Sequence, residues 1–210
     1  LILHLNNDVE ALEPGWLEDM VGWLSIPGVG IVGAKLLYPD GTLNHAGISL
    51  SAEDGLPHVL FEREPAEDLG YLFLPQAARN VAAVTGACLL TRSDLYRQLH
   101  GFEDLARLDD AVEISGGINE AEFGVAYNDV DYCLRARTAG HRIVWTPSAV
   151  LRHVGSASRG HTYAEREHVA YLAAHGTARD PYRSDALDFP PRHLPLNPWH
   201  QRYAETPRPF

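Results

Sequence analysis

The sequence predicts an α/β protein with a mixed sheet of buried strands and flanking helices. Short runs of apolar and β-branched residues alternate with segments in which apolar residues recur at helical spacing. Clusters of Gly, Pro, Asn and Asp separate these segments, as is typical of turns. Apolar residues make up 45% of the 210 residues and charged residues 21%, a globular composition that excludes wholesale disorder.

The first predicted elements are a strand, a polar loop and a helix. Leu1 to Leu5 is an apolar run that predicts a buried strand, and it ends at Asn6-Asn7-Asp8. Pro14 lies near the first turn of the following helix, where proline is favoured, and Ile26-Pro27-Gly28 ends that helix. Its predicted buried face carries four residues at helical spacing: Trp16, Met20, Trp23 and Leu24.

A hairpin, a long loop and a third strong strand come next. Val29 to Leu37 predicts a strand, Tyr38-Pro39-Asp40-Gly41 a turn, and Thr42 to Leu50 the returning strand. Residues 51–80 are polar, with prolines flanking an acidic run, and predict a long surface loop. Val81 to Thr91 is nearly apolar throughout, which predicts a strand covered on both faces.

The second half of the chain alternates helices with short strands. A short helix is predicted to start at Ser93 and to break at His100-Gly101, and another to run from Asn128 to a glycine stop at Gly140. The remaining predicted elements are an irregular segment over 103–124, short strands over 142–145 and 149–152, a helix over 165–175, and a proline-rich extended tail beyond residue 180.

Charge, apolar run length and cysteine number exclude several classes of protein. Because 17 Lys and Arg stand against 28 Asp and Glu, the net charge is −11, which argues against a nucleic-acid partner. The longest nearly apolar run, Val81 to Leu90, is about half as long as a membrane-spanning helix needs to be. Cys88 and Cys133 lie in apolar contexts and are expected to be buried free thiols, which favours a reducing compartment.

Polar residues gather at three places that follow strands or begin a helix. Since ligands bind outside the carboxyl ends of strands in open α/β sheets, these places are candidates for one site. The first is Asn6-Asn7-Asp8. It is explained either as a solvated turn or as a site in which a carboxylate holds Mg²⁺ or Mn²⁺ against a diphosphate.

The second cluster is Asn128-Asp129-Val130-Asp131. Helix capping explains it, because Asn caps helices and Asp suits their first turn. The same position suits a general base, since nearby N–H groups would keep the Asp129 carboxylate ionised and ready to accept a proton from a hydroxyl. Asp131 lies two positions further on, faces another way, and is expected to be structural.

The third cluster is His153 with the Ser/Gly loop that follows it. The histidine is explained either as a hydrogen-bonded structural residue or as a neutral imidazole that completes a cation site with Asp8. In the loop, Ser156, Ser158 and Arg159 form a candidate phosphate clamp, because Arg binds phosphate oxygens in bidentate fashion.

Seven short motifs follow one another along the chain. They are Leu-Asn-Asn-Asp-Val-Glu at 5–10, Pro-Gly-Trp-Leu at 14–17, Val-Gly-Ala-Lys-Leu-Leu-Tyr-Pro-Asp-Gly-Thr-Leu at 32–43, Thr-Gly-Ala-Cys-Leu-Leu-Thr-Arg at 85–92, Gly-Phe-Glu-Asp at 101–104, Asn-Asp-Val-Asp-Tyr-Cys-Leu-Arg at 128–135 and His-Val-Gly-Ser-Ala-Ser-Arg-Gly at 153–160. In this order they resemble the family 2 inverting glycosyltransferases. The resemblance is closest to the branch that builds bacterial O-antigen, rhamnan and other surface polysaccharides.

The resemblance implies a GT-A fold, a nucleotide-diphosphate-sugar donor and a divalent metal, Mg²⁺ or Mn²⁺. Asn6-Asn7-Asp8 matches the family's Asp-x-Asp motif, so Asp8 would be a metal ligand, with Asn6 and Asn7 at the donor. His153 matches a histidine that contacts metal or diphosphate, and Asp129 matches the catalytic base. The other implied positions are Ser158 and Arg159 at the donor, and Gly86, Ala87, Gly101, Phe102 and Asn128 in the sugar and acceptor pocket.

The resemblance also implies a partner and a place of action. The sugar would pass with inversion to a glycan or lipid-linked glycan acceptor in cell-surface polysaccharide synthesis. The enzyme would be cytoplasmic and peripheral at the inner face of the membrane.

The organisation of the chain follows from the same resemblance. Residues 1–160 are expected to form the C-terminal metal and acceptor portion of a GT-A domain, and residues 161–210 a helix and a proline-rich tail. The chain opens on a strand-like run without Met, which predicts an enzyme lacking its N-terminal nucleotide-binding part. Two alternatives stay open: a catalytically incompetent fragment that binds a glycan or a partner, and a metal-dependent hydrolase that uses the same Asp and His groups.

Overall fold

The computed structural model describes residues 1–102, 127–154 and 165–183. In this part of the chain it is an α/β structure with a seven-stranded mixed sheet, a separate two-stranded sheet and flanking helices. The predicted fold class is therefore confirmed, and the architecture is consistent with the GT-A type.

The elements are short apart from two long strands. In chain order the strands are β1 (Ile2–Leu5), β2 (Val9–Ala11), β3 (Val29–Leu37), β4 (Leu43–His45), β5 (Ile48–Leu50), β6 (Pro57–Val59), β7 (Arg79–Asn80), β8 (Cys88–Thr91) and β9 (Arg142–His153). The helices are α1 (Trp16–Leu24), α2 (Ser93–Gln98), α3 (Asn128–Thr138) and α4 (Glu165–His175), with a kinked 3₁₀ segment at Tyr71–Gln76.

The direction of the strands determines where a ligand site can form. The main sheet runs in the order β1-β8-β3-β9-β2, with β4 paired to β3 and β7 to β9. Strand β8 is antiparallel to both β1 and β3, and β3 is parallel to β9, from Val29 opposite Arg142 to Leu37 opposite Arg152. The carboxyl ends of β1, β3 and β9 therefore lie at the same edge of the sheet.

The central strands are buried because both faces of the sheet are covered. Alternate side chains of a strand point to opposite faces, and Ile31 and Val32 of β3 accordingly lie in two different apolar clusters. Helix α3 packs with the Ile31 cluster through Cys133, and helix α1 packs with the Val32 cluster through Met20. This two-sided covering explains why β3 is apolar along most of its length.

Four predicted strands differ from the observed ones. Of Val81 to Thr91, only Cys88–Thr91 is a strand, because the chain turns at Gly86 and Ala87 just before it. The two short strands over 142–152 are one strand, β9, and a register shift against β3 takes up the irregularity near Pro147. The first strand, predicted to be buried, is only partly buried and pairs on one side with β8.

The returning strand of the predicted hairpin is divided. Leu43–His45 pairs with β3 as expected, whereas Ile48–Leu50 pairs with Pro57–Val59 in the second sheet. The chain breaks between them at Gly47, whose φ of +96° suits glycine.

The segment over 51–80 is packed rather than a simple surface loop. Leu60 and Ala66 are buried in it. The buried Lys35 of β3 donates from Nζ to the Ala66 carbonyl at 2.7 Å, and burial lowers the pKa of this lysine. A charged side chain from the central sheet thus holds the segment in place, which apolar patterning does not reveal.

The helices agree with the sequence-based predictions. Helix α4 covers the predicted Glu165–His175, and its buried Tyr171 donates a hydrogen bond to the Gly55 carbonyl at 2.9 Å.

Cys88 and Cys133 are buried free thiols, as predicted. Within the described ranges, no helix combines the length and apolarity needed to cross a bilayer. The proline-rich tail beyond residue 183 lies outside the described residues.

We expect Gly33→Ala to destabilise the fold by about 1–3 kcal/mol, because an added Cβ would lie 2.5 Å from the Val84 side chain inside a packed core. Gly22→Ala is the matched control: nothing lies within 4 Å of its added Cβ, and removing a helical glycine stabilises by about 0.5–1 kcal/mol. Urea unfolding followed by circular dichroism measures both. Equal midpoints for the two variants would contradict the close approach of Val84.

Candidate active site

Several of the predicted site residues that the structure describes come together at the edge formed by the carboxyl ends of β1 and β9. The Asn6-Asn7-Asp8 loop follows β1, His153 ends β9, and the turn at Thr85–Ala87 precedes the antiparallel strand β8. The Asn6 amide donates to the Ala87 carbonyl at 3.0 Å, which joins the first loop to the turn. The site is therefore assembled from segments far apart in the chain.

Asp129 is attached to this turn by a direct hydrogen bond. The Gly86 amide donates to its Oδ2 at 2.7 Å, and the Val130 amide donates to its Oδ1 at 2.8 Å. An added Cβ on Gly86 would lie 3.4 Å from the Asp129 Cβ, so the small residue permits the close approach. Both carboxylate oxygens are thus oriented by backbone donors while the residue keeps some exposed surface.

The pKa of Asp129 is set by burial as well as by the hydrogen bonds that its carboxylate accepts. Burial raises its pKa, and hydrogen bonds from Gly86, Val130 and the Thr85 side chain offset only part of that effect. The N–H groups named in the sequence analysis do favour the anion, but burial opposes them, and the role of Asp129 as the base stays a prediction. A carboxylate with a raised pKa is a stronger base than an exposed one, which suits proton transfer.

The start of α3 also differs from the predicted asparagine cap. The cap position is Tyr127, with a left-handed φ of +67°, and Asn128 is the first helical residue. A non-glycine residue in this region is uncommon and is found preferentially at functional sites. The conformation directs the first turn of α3, and with it Asp129, toward the turn at Gly86.

Asp8 and His153 lie side by side at the end of the sheet. The Nε2 of His153 is 3.2 Å from Oδ1 of Asp8. The approach lacks hydrogen-bond geometry, so this carboxylate oxygen is buried without a hydrogen-bond partner in the described part of the chain. Backbone pairing holds the two residues together, since the Val154 amide donates to the Asp8 carbonyl at 2.8 Å.

A chain of polar side chains orients the His153 ring. Nδ1 lies 3.1 Å from the Oδ1 of Asn44, so Nδ1 carries the proton and donates it to that amide oxygen. The Asn44 amide also hydrogen-bonds the Tyr38 hydroxyl, which donates to Glu62 at 2.6 Å. This arrangement leaves the Nε2 lone pair of a neutral His153 facing Asp8.

Two acceptors that face each other at 3.2 Å fit a cation between them. Nε2 and a carboxylate oxygen repel unless a proton or a metal ion lies near both. Neighbouring ligands of an octahedral ion lie about 3 Å apart when each bond is about 2.1 Å, and Mg²⁺ sites of this kind take one or two carboxylates plus substrate phosphates. Within the described ranges no three His, Cys, Asp or Glu residues cluster, so the remaining ligands would come from water and substrate.

Sequence reasoning missed His45, which lies behind the site. This side chain is 1% exposed, and its Nε2 accepts from the Thr85 amide at 3.4 Å. Burial lowers the pKa of His45 to about 3, with further lowering by the nearby charge of Arg79. His45 is thus a neutral acceptor that supports the turn carrying Gly86. An isolated histidine in an apolar strand offers no sequence signal for this role.

Phe102 and Gly101 border the site from the end of α2. The Phe102 ring stacks on His4 with centroids 4.2 Å apart, and it lies 3.6 Å from an added Cβ on Gly86. Gly101 has a φ of +71° and accepts from Arg135 at 2.8 Å. Phe102 therefore lies beside the turn at Gly86, and the place of both residues in a sugar or acceptor pocket stays a prediction.

Asp131 performs the structural role that was expected of it. It is 4% exposed and accepts from Arg135 Nη2 and from His175 Nε2, each at 2.7 Å. Burial acts to raise its pKa, but the bonds and charges of His175 and Arg135 lower it. Arg135 also donates to the Leu99 carbonyl. This network connects α3, α4 and the segment that carries Phe102.

The other predicted residues are exposed or lie outside the described ranges. Asn6 and Asn7 are exposed at the surface of the loop, and Ala87 is buried in the turn. Asn128 is partly buried beside Asp129. Ser158 and Arg159 lie outside the described residues, so their proposed contact with the donor stays a prediction.

Comparison with known proteins identifies two relatives, and no family model matches the chain. The chain is 44% identical over 163 residues to the uncharacterized protein y4gI of Sinorhizobium fredii, covering 77% of this chain and 16% of that protein. It is 34% identical over 193 residues to the O-antigen biosynthesis protein RfbC of Myxococcus xanthus, covering 89% of this chain and 14% of that protein. The chain thus spans about one sixth or less of the length of these relatives.

We expect Asp129 to make stability depend on pH with a definite sign. The unfolded chain releases this proton near the ordinary pKa of 3.8, whereas the folded chain releases it only at higher pH. Raising the pH from about 4 toward neutrality therefore favours the unfolded state. The free energy of unfolding of the wild type should fall relative to that of Asp129→Asn across this range, as measured by urea unfolding at a series of pH values.

Asp131→Asn is the matched control for this measurement. Because the pKa of Asp131 is lowered, the stability from this group is fully present above about pH 4 and is lost only as the pH falls below it. The difference between the wild type and Asp131→Asn should be flat where the Asp129→Asn difference changes. A flat profile for both variants would contradict the burial of the Asp129 carboxyl.

Proposed function

We propose that this chain carries the catalytic and acceptor part of a metal-dependent inverting glycosyltransferase of family 2. It would transfer a sugar from a nucleotide-diphosphate-sugar to a glycan in cell-surface polysaccharide synthesis. The observation that supports this most is the presence of an oriented, partly buried carboxylate, Asp129, at the same sheet edge as the Asp8 and His153 pair. The similarity to an O-antigen biosynthesis protein supports the class of product.

The first step in the proposed mechanism is proton transfer to Asp129. The Gly86 and Val130 amides and the Thr85 side chain use three of the about four lone-pair positions of the carboxylate, so one position remains for an acceptor hydroxyl. Because burial raises the pKa of Asp129, its affinity for the proton is greater than that of an exposed carboxylate. The hydroxyl oxygen bonds the anomeric carbon as its proton passes to Asp129.

The second requirement is stabilisation of the leaving diphosphate. Asp8 and His153 would hold Mg²⁺ or Mn²⁺, and Asn44 would keep Nε2 of His153 available. The ion, when bound, supplies positive charge against the negative charge that develops on the leaving diphosphate. Since attack occurs opposite the leaving group and one bond replaces another directly, configuration at the anomeric carbon inverts.

The partners are part of the same proposal. The donor is a nucleotide-diphosphate-sugar, and the acceptor is a glycan or a lipid-linked glycan. Phe102, stacked on His4 beside Gly86, offers an apolar surface for a sugar ring. Contact with a lipid-linked acceptor would bring the protein to the inner face of the membrane.

The function is tested by incubating the chain with Mn²⁺, a panel of uridine- and thymidine-diphosphate sugars and glycan acceptors, with products identified by mass spectrometry. We expect Asp129→Asn to lower the transfer rate by about 10²–10⁴-fold, the usual contribution of a general base. Asp94→Asn, a first-turn aspartate of α2 that is exposed, should leave the rate unchanged. Near-normal turnover by Asp129→Asn would exclude it as the base, and release of free sugar in place of transfer would favour a hydrolase.

Metal binding is tested separately from transfer by titrating Mn²⁺ and following its electron paramagnetic resonance signal. We expect Asn44→Ala to weaken Mn²⁺ binding by about 10-fold or more, because residues that orient a metal-binding histidine contribute 10–100-fold to affinity. Asn80→Ala, on β7, is the control and should bind Mn²⁺ as the wild type does. Equal affinity for both variants would contradict the role of Asn44.

A further inference from the structure

A cavity of about 520 Å³ opens at the edge of the sheet opposite the candidate active site. It lies between the C-terminal end of α3, the first residue of β9 and the segment after α4. Its lining is rich in cationic and polar side chains: Arg137, His141, Arg142, His175, Arg179 and Tyr182.

Three arginines of this cavity lack carboxylate partners in the described part of the chain. Arg137 donates to the Arg179 carbonyl at 3.0 Å and Arg142 to the Pro27 carbonyl at 2.9 Å, both neutral acceptors. By contrast, four other arginines lie within 4.0 Å of a carboxylate oxygen: Arg63, Arg92, Arg135 and Arg152. In a chain of net charge −11, the cavity thus concentrates positive charge that its own carboxylates do not neutralise.

Two polar atoms of the cavity residues are buried without a hydrogen-bond partner among the described residues. They are Nη1 of Arg137 and Nδ1 of His141. Buried polar atoms are nearly always satisfied in folded proteins, so both atoms indicate a missing partner, which for the Arg137 Nη1 donor is an acceptor. An acceptor that also carries negative charge would satisfy both the hydrogen bonding and the electrostatics.

The C-terminal end of α3 borders the cavity and repels an anion only weakly. The C-terminal end of α3 carries a partial negative charge of about one half. Its final turns are closed by the Ala139, Gly140 and His141 amides, which donate to carbonyls of the last helical turns. Three full positive charges of Arg137, Arg142 and Arg179 outweigh this partial charge.

We propose that this cavity is a binding site for a phosphate-bearing anion. Guanidinium groups match phosphate oxygens in bidentate geometry, and the volume accommodates a phosphate or diphosphate with an attached group. The site is separate from the candidate active site, because Arg142 and His153 are the first and last residues of β9, roughly 35 Å apart along the strand. The proposal does not depend on the glycosyltransferase function.

The proposal is tested by isothermal titration of the 210-residue chain with inorganic pyrophosphate in buffer that contains a chelator and no divalent metal. Without metal, the Asp8 carboxylate repels pyrophosphate, but the predicted phosphate clamp at Ser156, Ser158 and Arg159 does not need metal. The binding that reports on the cavity is therefore the part that the cavity variant loses. A flotation assay with phosphatidylglycerol vesicles, against phosphatidylcholine vesicles, distinguishes a lipid headgroup from a free phosphate. The variants are Arg137→Gln/Arg179→Gln and the control Arg152→Gln, at the far end of β9.

We expect the wild type and Arg152→Gln to bind and the double variant to bind at least about tenfold more weakly, since bonds to charged groups are the strong ones. Loss of affinity for pyrophosphate supports a free phosphate ligand, and loss confined to phosphatidylglycerol vesicles supports a headgroup. Absence of wild-type binding to both probes, or equal binding by the double variant, overturns the proposal. If the double variant unfolds, Arg179→Gln alone serves, because this residue is exposed and its side chain makes no hydrogen bond among the described residues.

Discussion

The hydrogen bond from the Gly86 amide to Asp129 is the interaction on which the candidate active site depends. It joins the first turn of α3 to the turn before β8. The Ala87 carbonyl of the turn before β8 also accepts a hydrogen bond from the Asn6 amide. His45 supports the same turn from behind through the Thr85 amide. If this turn moved, Asp129 and the loop that carries Asp8 would both be displaced, because both are hydrogen-bonded to it. The turn at Gly86 therefore interrupts the apolar segment Val81 to Thr91, and its amide becomes a hydrogen-bond donor at the site.

The sheet supplies the second part of the site through the direction of its strands. Because β1, β3 and β9 run the same way, the loops that follow them meet at one edge, and Asp8 comes beside His153. The burial of the central strands on both faces fixes this edge, since a shift in register would turn Ile31 and Val32 to the wrong clusters. Core packing and site geometry thus depend on the same register.

The sequence was sufficient for the fold class, the long elements and the grouping of Asp8, Asp129 and His153 as candidates, because strand periodicity and helix signals are local. The sequence was insufficient where tertiary contacts determine the bounds of a strand, the packing of a loop or the pKa of a side chain. Apolarity made Val81 to Thr91 resemble one strand, yet a turn at Gly86 divides it. Lys35 packs the 51–80 segment through a buried bond to Ala66, and His45 serves as a neutral acceptor. The raised pKa of Asp129 depends on burial, which no local pattern reports.

Strand β9 reaches from one edge of the sheet to the other, with Arg142 at its start and His153 at its end. A segment that opens locally must release both ends at once if it opens as a cooperative unit. If β9 opens as one unit, a molecule held at either end slows amide hydrogen exchange along the whole strand, including Val144 and Leu151 in the core between the two ends. The strand would then couple its two ends: a ligand bound at one end would reduce the frequency of local opening at the other end, without any change in the mean structure.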